Sequence, residues 1–290
     1  MHADAAVRAI WWKPRGTFCG GLEHEVTPYI WVCELDRQAT DGRAAYHRLM
    51  NRRVATVVGI LAIASSAYWW TRPTPHPLAQ DHAAFVRIFA PPPARDSAQT
   101  RQELVQLIEL QRHRSAADVE TARADRKTEI GRFFGALGVP DTIGALPHVR
   151  RLAQRAEDDI RPYVRAAKDH FRRSRPFVID PQIEPCIGNV EDDLSYPSGH
   201  ATYGYVMAYL LSDLVPERRA ALLRRAAEFS RQRMVCGVHF PSDVEAGRKG
   251  AEWLTRELLI DPAYAEDLRA ARHELRAALN LPQEPAASVH

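Results

Sequence analysis

After Ser97, apolar residues recur at intervals of three and four, as Leu104, Leu107 and Ile108 do. This is the period of an amphipathic α-helix, and no stretch shows the sustained alternation that is typical of a half-buried β-strand. One predicted helix begins near Ser97, and the others cover residues 116–137, 147–173, 200–214, 216–235, 241–259 and 262–279. The sequence therefore predicts an all-α fold, a single-domain helical bundle over residues 98–280.

The composition is that of an ordinary globular protein. Of 290 residues, 46% are hydrophobic and 26% are charged, and the mean hydropathy is −0.35, which argues against a polytopic membrane protein. The 39 basic and 36 acidic residues nearly balance, so no nucleic-acid partner is expected. Only four of the basic residues are Lys. Each Lys therefore merits attention, and Lys168 most of all because of its neighbours.

An apolar run over residues 54–70 follows Met50 and the basic pair Arg52-Arg53. A Met, a basic pair, an apolar stretch and small residues form the layout of a secretory signal peptide. We therefore expect Met50 to be the initiator and the mature protein to be periplasmic or secreted. The alternative is a single-pass membrane anchor, for which this run is short. The predicted organisation is an upstream extension over residues 1–49, a signal peptide over 50–70, a Pro-rich extended lead-in outside the core over 71–97, the helical domain over 98–280 and a tail over 281–290.

A Pro-Ser-Gly-His segment, residues 197–200, directly precedes a strongly apolar helical stretch. Ser198 is a preferred type of N-cap, and Gly199 would let a ligand approach the backbone closely. The free N–H groups and the dipole at such a helix end favour an anion, and His200 would stand at its mouth. By itself the pattern more often marks a capped helix with an exposed His.

His239 and Asp243 form a second candidate pair, four residues apart. A carboxylate that accepts one imidazole N–H fixes the tautomer and leaves the other nitrogen able to attack. Pro241 is expected to open a helix, so Asp243 would lie in its first turn, where the dipole favours a carboxylate. A helix-capping Asp beside a loop His explains the pair equally well when it is taken alone.

Lys168, Arg175 and Arg233 are the candidate cations for an anion. Arg suits bidentate phosphate binding, and Lys contributes a compact point charge. In an Arg-rich chain a single Arg usually belongs to a solvated face, whereas the scarcity of Lys makes Lys168 more informative.

Together these residues follow one pattern: Lys, six residues and Arg-Pro; then Pro-Ser-Gly-His; then Arg, five residues, His, three residues and Asp. The pattern resembles the type 2 phosphatidic acid phosphatase superfamily, which also includes vanadium-dependent haloperoxidases. Within it the sequence is most similar to the bacterial class A non-specific acid phosphatases, from about Phe85 to about Leu259. One departure is Gln232, where the family usually has Ser, so the auxiliary hydrogen bond of that Ser is not expected.

The resemblance implies the helical bundle of the acid phosphatase and vanadium haloperoxidase type, and a role for each matching residue. His239 would be the nucleophile that forms a phosphohistidine, Asp243 would orient it, and His200 would serve as general acid and then as general base. The residues that would hold the phosphoryl oxygens are Lys168, Arg175, Ser198, Gly199 and Arg233. No metal ion and no cofactor are expected, because fixed cations would supply the charge.

The expected substrates are small phosphate monoesters. Contact with a membrane is expected only if the signal segment stays uncleaved, and a homodimer is an expected assembly because the family often forms one. Cys186 and Cys236 are the only Cys residues of the expected mature region. Both flank the anticipated anion site in an oxidising compartment, so we predict a disulfide between them, with two buried thiols as the alternative.

Three other functions compete with the acid phosphatase. A vanadium-dependent haloperoxidase would use the same anion-binding residues, although such enzymes are generally longer. A lipid phosphatase of the superfamily would need several membrane spans, and this sequence has at most one candidate. A phosphate-binding protein would also need Arg, Ser and a helix N-terminus, but it would not need the pair His239 and Asp243, and such proteins are normally two-domain α/β.

Overall fold

The computed structural model describes residues 81–141, 145–188, 190 and 193–283. The predicted upstream extension and signal peptide lie outside the described residues, as do the first part of the lead-in and most of the tail. Within the described ranges, no helix is both long enough and apolar enough to cross a membrane.

The described residues fold into ten α-helices joined by turns and three short 3-10 helices. The α-helices are α1 (His82–Arg87), α2 (Ala98–His113), α3 (Ala116–Ala124), α4 (Phe134–Leu137), α5 (Pro147–Phe171), α6 (Pro176–Ile179), α7 (Gly199–Leu214), α8 (Arg219–Val235), α9 (Pro241–Ile260) and α10 (Ala265–Ala278). The 3-10 helices are Ile130–Phe133, Pro216–Arg218 and Pro262–Tyr264. No strand is present in this part of the chain, so the predicted all-α class is confirmed.

Local signals in the sequence set several helix starts. The Ser97 side chain accepts a hydrogen bond from the Thr100 amide and caps α2, and the Ser198 side chain does the same for α7 with the Ala201 amide. Pro241 occupies the first position of α9, where its missing N–H costs nothing. These starts agree with the sequence-based predictions.

The prediction of a single helix over residues 116–137 is wrong, because the structure divides this range into separate helices. Helix α3 ends at Ala124, and the chain continues as a 3-10 helix and then as α4. The C-cap of α4 is Gly138, with φ +83°. The break follows from Asp125, which is fully buried and accepts hydrogen bonds from Arg132 and Arg225. Turning this carboxylate inward toward two guanidinium groups interrupts the helix.

The lead-in predicted over residues 71–97 is not outside the core along its whole length. Asp81 caps α1 through the Ala84 amide, 2.7 Å away, and Phe85 and Phe89 of this segment are buried in the main core. The sequence does not predict this burial because Pro residues dominate the surrounding segment, yet the short helix α1 and the bend after it bury both rings.

Helix α7 is the centre of the core, and it packs against α8 and α9. A Cβ atom at Gly247 of α9 would lie 2.7 Å from the Ser198 carbonyl oxygen, and one at Gly204 of α7 would lie 2.9 Å from the Phe229 ring. Both distances are too short for a real contact, so the two glycines permit the close approach. Because Gly247 lets α9 approach the start of α7, the first turns of these two helices lie side by side.

We expect Phe85→Ala to lower the free energy of unfolding by about 3–5 kcal/mol, because it leaves a cavity in the core. The Phe85 ring is fully buried, and it packs edge-on against Tyr163, with the centroids 5.6 Å apart. Chemical denaturation measures the change. Val105→Ala, at a residue that is 59% exposed, is the control and should cost less than about 0.5 kcal/mol. Equal effects of the two variants would contradict the placement of α1 in the core.

Candidate active site

The segment with Lys168 and Arg175 is joined through the backbone to the Pro-Ser-Gly-His segment. Ser174 and Leu194 form an isolated antiparallel bridge. On either side of it, the Arg175 amide donates to the Asp193 carbonyl at 3.0 Å, and the Ser195 amide donates to the Arg173 carbonyl at 2.8 Å. The end of α5 is thereby held beside the segment that leads into α7.

The segment with Arg233, His239 and Asp243 is attached to the other two by a backbone hydrogen bond and by a disulfide. The Ser198 amide donates to the Asp243 carbonyl at 3.0 Å. Cys186 and Cys236 form a disulfide with Cα atoms 4.7 Å apart, within the usual range for such a bond. Gly237, directly after it, has φ +65°, a left-handed conformation that suits Gly and that turns the chain from α8 toward His239.

These connections enclose a cavity of about 650 Å³. Six of the eight residues predicted for catalysis or phosphate binding line it: Lys168, Arg175, Gly199, His200, Arg233 and His239. The other two, Ser198 and Asp243, are fully buried and do not line it. Within the described ranges, no group of three or more His, Cys, Asp and Glu side chains is arranged to hold a metal ion.

Ser198 differs from its expected place. Its Oγ lies 3.4 Å from the Ala201 amide, which it caps. The hydroxyl therefore organises the first turn of α7, and it is Gly199, the first residue of that helix, that reaches the cavity wall.

His239 is buried, and both of its ring nitrogens have neighbours. Nδ1 lies 3.4 Å from Asp243 Oδ2, and Nε2 accepts from Arg175 Nη1 at 3.1 Å. Burial, together with the positive charges of Arg175 and Lys168, holds the pKa of His239 well below its usual range. The imidazole is therefore neutral, with its proton on the side of Asp243 and a lone pair on Nε2 inside the cavity.

Asp243 is held by donors that the sequence reasoning did not include. Arg173 Nη1 donates to Asp243 Oδ1 at 2.6 Å, and the Phe240 amide donates to Oδ2 at 2.8 Å. Burial raises the pKa of Asp243, and Arg173 and the Phe240 amide oppose that rise. Two strong donors stabilise the ionised carboxylate that His239 needs.

Arg173 is itself oriented by Glu103 of α2. Its Nη2 donates to Glu103 Oε2 at 2.9 Å, and its guanidinium lies 3.9 Å over the Phe240 ring. The Ser242 amide donates to Glu103 Oε1 at 3.0 Å, which ties α2 to the first turn of α9. The sequence does not predict this pairing of Glu103 with Arg173, because it does not show which carboxylate meets which guanidinium.

His200 lies at the opening of α7 and faces the cavity. Its Nε2 is 2.8 Å from the Arg126 carbonyl oxygen. Because a carbonyl only accepts, Nε2 carries the proton and Nδ1 is left for a ligand. Burial, followed by the charge of Arg233, lowers the pKa of His200 to about 3.

Three cations, which we call the cation cluster, lie around the two histidines: Lys168, Arg175 and Arg233. Backbone carbonyls fix each of them. Lys168 Nζ donates to the Leu194 oxygen at 2.8 Å, Arg175 Nη1 to the Val238 oxygen at 2.8 Å, and Arg233 Nη2 to the Ala122 oxygen at 2.9 Å. Burial lowers the pKa of Arg233 to about 10, so this side chain remains charged at neutral pH. Fixed cations of this kind suit a phosphoryl group.

Gln232 occupies the position at which the resembled family usually has Ser. It is 1% exposed, its amide nitrogen donates to Glu228, and its Oε1 has no partner among the described residues. Its side chain therefore turns along α8 and does not line the cavity.

We expect inorganic phosphate to raise the pKa of His200 from about 3, because an anion among the cation cluster offsets the charges that disfavour an imidazolium. NMR titration of the His200 ring nitrogens, with and without phosphate, measures the shift. The ring of His273, outside this cavity, is the control and should not respond. An unchanged titration of His200 would contradict an anion site beside it.

Comparison with known proteins finds relatives of the part of the chain that forms this cavity. Residues 161–249, which contain all eight residues predicted for catalysis or phosphate binding, match the family model of the PAP2 superfamily. Over 147 residues the chain is 37% identical to an acid phosphatase of Zymomonas mobilis, covering 49% of this chain and 55% of that protein. Over 120 residues it is 40% identical to a non-specific acid phosphatase of Salmonella typhimurium, covering 40% and 48% respectively.

A non-specific acid phosphatase of Providencia stuartii is 33% identical over 147 residues, covering 49% of this chain and 59% of that protein. Among solved structures, a transmembrane PAP2 type phosphatidylglycerolphosphate phosphatase from Bacillus subtilis matches with a TM-score of 0.41 and 17% identity, over 64% of this chain and 96% of that one. The chain spans about half the length of the curated relatives it matches. Over residues 161–249 the chain is therefore similar to the PAP2 superfamily, and its predicted resemblance to the bacterial non-specific acid phosphatases is confirmed.

Proposed function

We propose that this protein is a periplasmic or secreted acid phosphatase that hydrolyses phosphate monoesters through a phosphohistidine at His239, without a metal ion. The observation that carries the proposal is the state of His239. Its Nε2 holds a lone pair at the wall of a cavity that three fixed cations share, and its Nδ1 faces a buried carboxylate. A neutral imidazole in this arrangement is a nucleophile prepared for a phosphoryl group.

In the first step, Arg175 Nη1 shifts its hydrogen bond from His239 Nε2 to a phosphoryl oxygen. The freed lone pair of Nε2 attacks phosphorus, and the bond between phosphorus and the ester oxygen breaks. The leaving oxygen takes a proton from the imidazolium form of His200, so an alcohol departs. As the bond forms, His239 gains positive character, and Asp243 stabilises it across 3.4 Å. The cation cluster complements the negative charge on the phosphoryl oxygens, which rises in the transition state.

In the second step, water attacks the phosphorus of phosphohistidine. His200, now neutral, accepts one proton of that water, and the bond between phosphorus and Nε2 breaks. Inorganic phosphate leaves, and His200 is again protonated for the next cycle. The sum of the two steps is one ester and one water converted to one alcohol and one phosphate.

The electrostatics of the cavity favour activity at acidic pH. His200 must be protonated to act in the first step, and its pKa in the empty cavity is about 3. A bound phosphate ester raises this pKa by bringing negative charge, but the cation cluster still opposes protonation. As pH rises above the pKa in the complex, the protonated fraction falls about tenfold per pH unit.

The disulfide supports the proposed location. A bond between Cys186 and Cys236 persists in an oxidising compartment such as the periplasm or the outside of the cell. Since it ties the loop before α7 to the end of α8, it also holds two walls of the cavity together.

We expect His239→Ala to reduce phosphatase activity to background, because it removes the attacking atom. His200→Ala should behave differently, since activated esters with good leaving groups need no proton and would still phosphorylate His239. Phosphohistidine should then accumulate, because the base for the second step is missing. Alkaline quenching followed by mass spectrometry detects it, as acid would destroy the intermediate. If His239→Ala keeps more than a few per cent of the wild-type kcat, the assignment of the nucleophile is wrong.

We expect Arg173→Lys to lower kcat by about 10–100-fold with little change in KM. Lys presents its donors from a single nitrogen, so it cannot reproduce the separate contacts of Nη1 with Asp243 and Nη2 with Glu103. Arg173 is not among the residues that line the cavity. Its role is to position Asp243, so the pH profile should change as well.

Arg155→Lys is the matched control for this variant. Arg155 is another largely buried arginine, paired with Asp267 at 2.6 Å and outside the cavity lining. We expect this variant to lose stability, measured as a lower Tm, while kcat and its pH profile stay near the wild type. Equal losses of kcat in the two variants would show that Arg173 acts only through stability.

A further inference from the structure

The cavity extends beyond the residues that would hold one phosphoryl group. Arg126, Arg161 and Arg165 line it together with the cation cluster. The side chains of Arg161 and Arg165 are 68% and 61% exposed, whereas Lys168 is 8% exposed. The cavity therefore has an inner end at Lys168 and an outer end where exposed guanidinium groups meet solvent.

The inner and outer ends are connected by one stripe of α5. Arg161, Arg165 and Lys168 recur at spacings of four and three, so they lie on the same side of the helix. At 1.5 Å per residue, Arg161 lies about 10 Å along the axis from Lys168. Val164 lines the cavity between them, and Ile160 lines it one residue before Arg161, so this wall offers apolar surface beside its cations.

Arg126 contributes from a different segment, the turn after α3. Its carbonyl accepts from His200 at 2.8 Å, which fixes its backbone at the cavity. Its charge is one of the causes that lower the pKa of Arg233. Because Arg126 is exposed, its guanidinium extends the positive charge of the cavity toward the outer end.

Positively charged side chains outnumber negatively charged ones along the cavity wall. Six cationic side chains and one carboxylate, Glu157, line it. Glu157 already accepts from the Thr128 hydroxyl at 2.6 Å and from Arg161 at 3.1 Å. A phosphate monoester brings at most two negative charges, so much of the positive potential remains for a second anionic group on the same molecule.

We propose that the outer end of this cavity binds a second phosphate group, so that small bisphosphorylated molecules with a carbon skeleton between the two phosphates are preferred substrates. The inference rests on the proposed phosphatase function and names its substrate class. One phosphate occupies the cation cluster, the skeleton lies against Ile160 and Val164, and the other phosphate meets Arg161 and Arg126.

The test compares hexane-1,6-diol bisphosphate with hexyl phosphate, two esters with the same skeleton. The ratio of their kcat/KM values, corrected for the two identical ends of the bisphosphate, should be about tenfold or more in favour of the bisphosphate. The ratio should shrink as salt is added, since the outer cations are exposed to solvent.

Variants assign the preference to the outer end. The double variant with Arg126→Gln and Arg161→Gln should bring the ratio close to one. Arg151→Gln removes an exposed arginine of the same helix that does not line the cavity, and it should keep the wild-type ratio. The same ratio of affinities should be found by calorimetry with the His239→Ala variant, which binds without turnover.

The outcomes separate the two proposals. Hydrolysis of hexyl phosphate with a ratio near one would overturn the second-phosphate site and leave the phosphatase function intact. Absence of hydrolysis of both esters would contradict the function, and the calorimetric ratio would then decide the second-phosphate site independently. If inorganic pyrophosphate has a higher kcat/KM than the bisphosphate, the second phosphate binds directly beside the first. The proposed separation between the two phosphate sites would then be wrong.

Discussion

The carboxylate of Asp243 is the point on which the arrangement of this site depends. It is fully buried, faces His239, and accepts from Arg173 and from the Phe240 amide, while its own backbone carbonyl accepts from the Ser198 amide. A buried ionised carboxylate is costly unless strong donors surround it. The need to satisfy this one group therefore brings the end of α5 and the first turns of α7 and α9 to the same place.

A second constraint is the concentration of positive charge beside two histidines. Burial and the cation cluster lower the pKa values of both His239 and His200. The same charges therefore keep His239 unprotonated and make His200 difficult to protonate. The two histidines differ in what their second nitrogen meets, since one faces the Asp243 carboxylate and the other a backbone carbonyl. In the mechanism that we propose, this difference allows His239 to attack while His200 transfers protons.

Much of the helical framework could be predicted from the sequence, because apolar spacing, Ser caps and first-turn prolines act over only a few residues. The start of α2 at Ser97 and that of α9 at Pro241 follow from such local signals. The break after Ala124 could not be predicted in this way, since it depends on Asp125 meeting Arg132 and Arg225, and Arg225 is remote in sequence. The burial of Phe85 and Phe89 was likewise hidden by the surrounding prolines.

The sequence by itself determined which residue types are available for the chemistry, because two histidines, a carboxylate and three cations stand at spacings that resemble a known family. Only the tertiary structure decided which of them reach the cavity. It left the Ser198 hydroxyl in the predicted helix cap and out of the cavity lining, and it joined Glu103 to Arg173 behind Asp243. It also placed Arg126 at the same cavity as α5. The physical reason is that caps and helical periods are set by neighbours along the chain, whereas the partner of a buried charge is chosen by packing between distant segments.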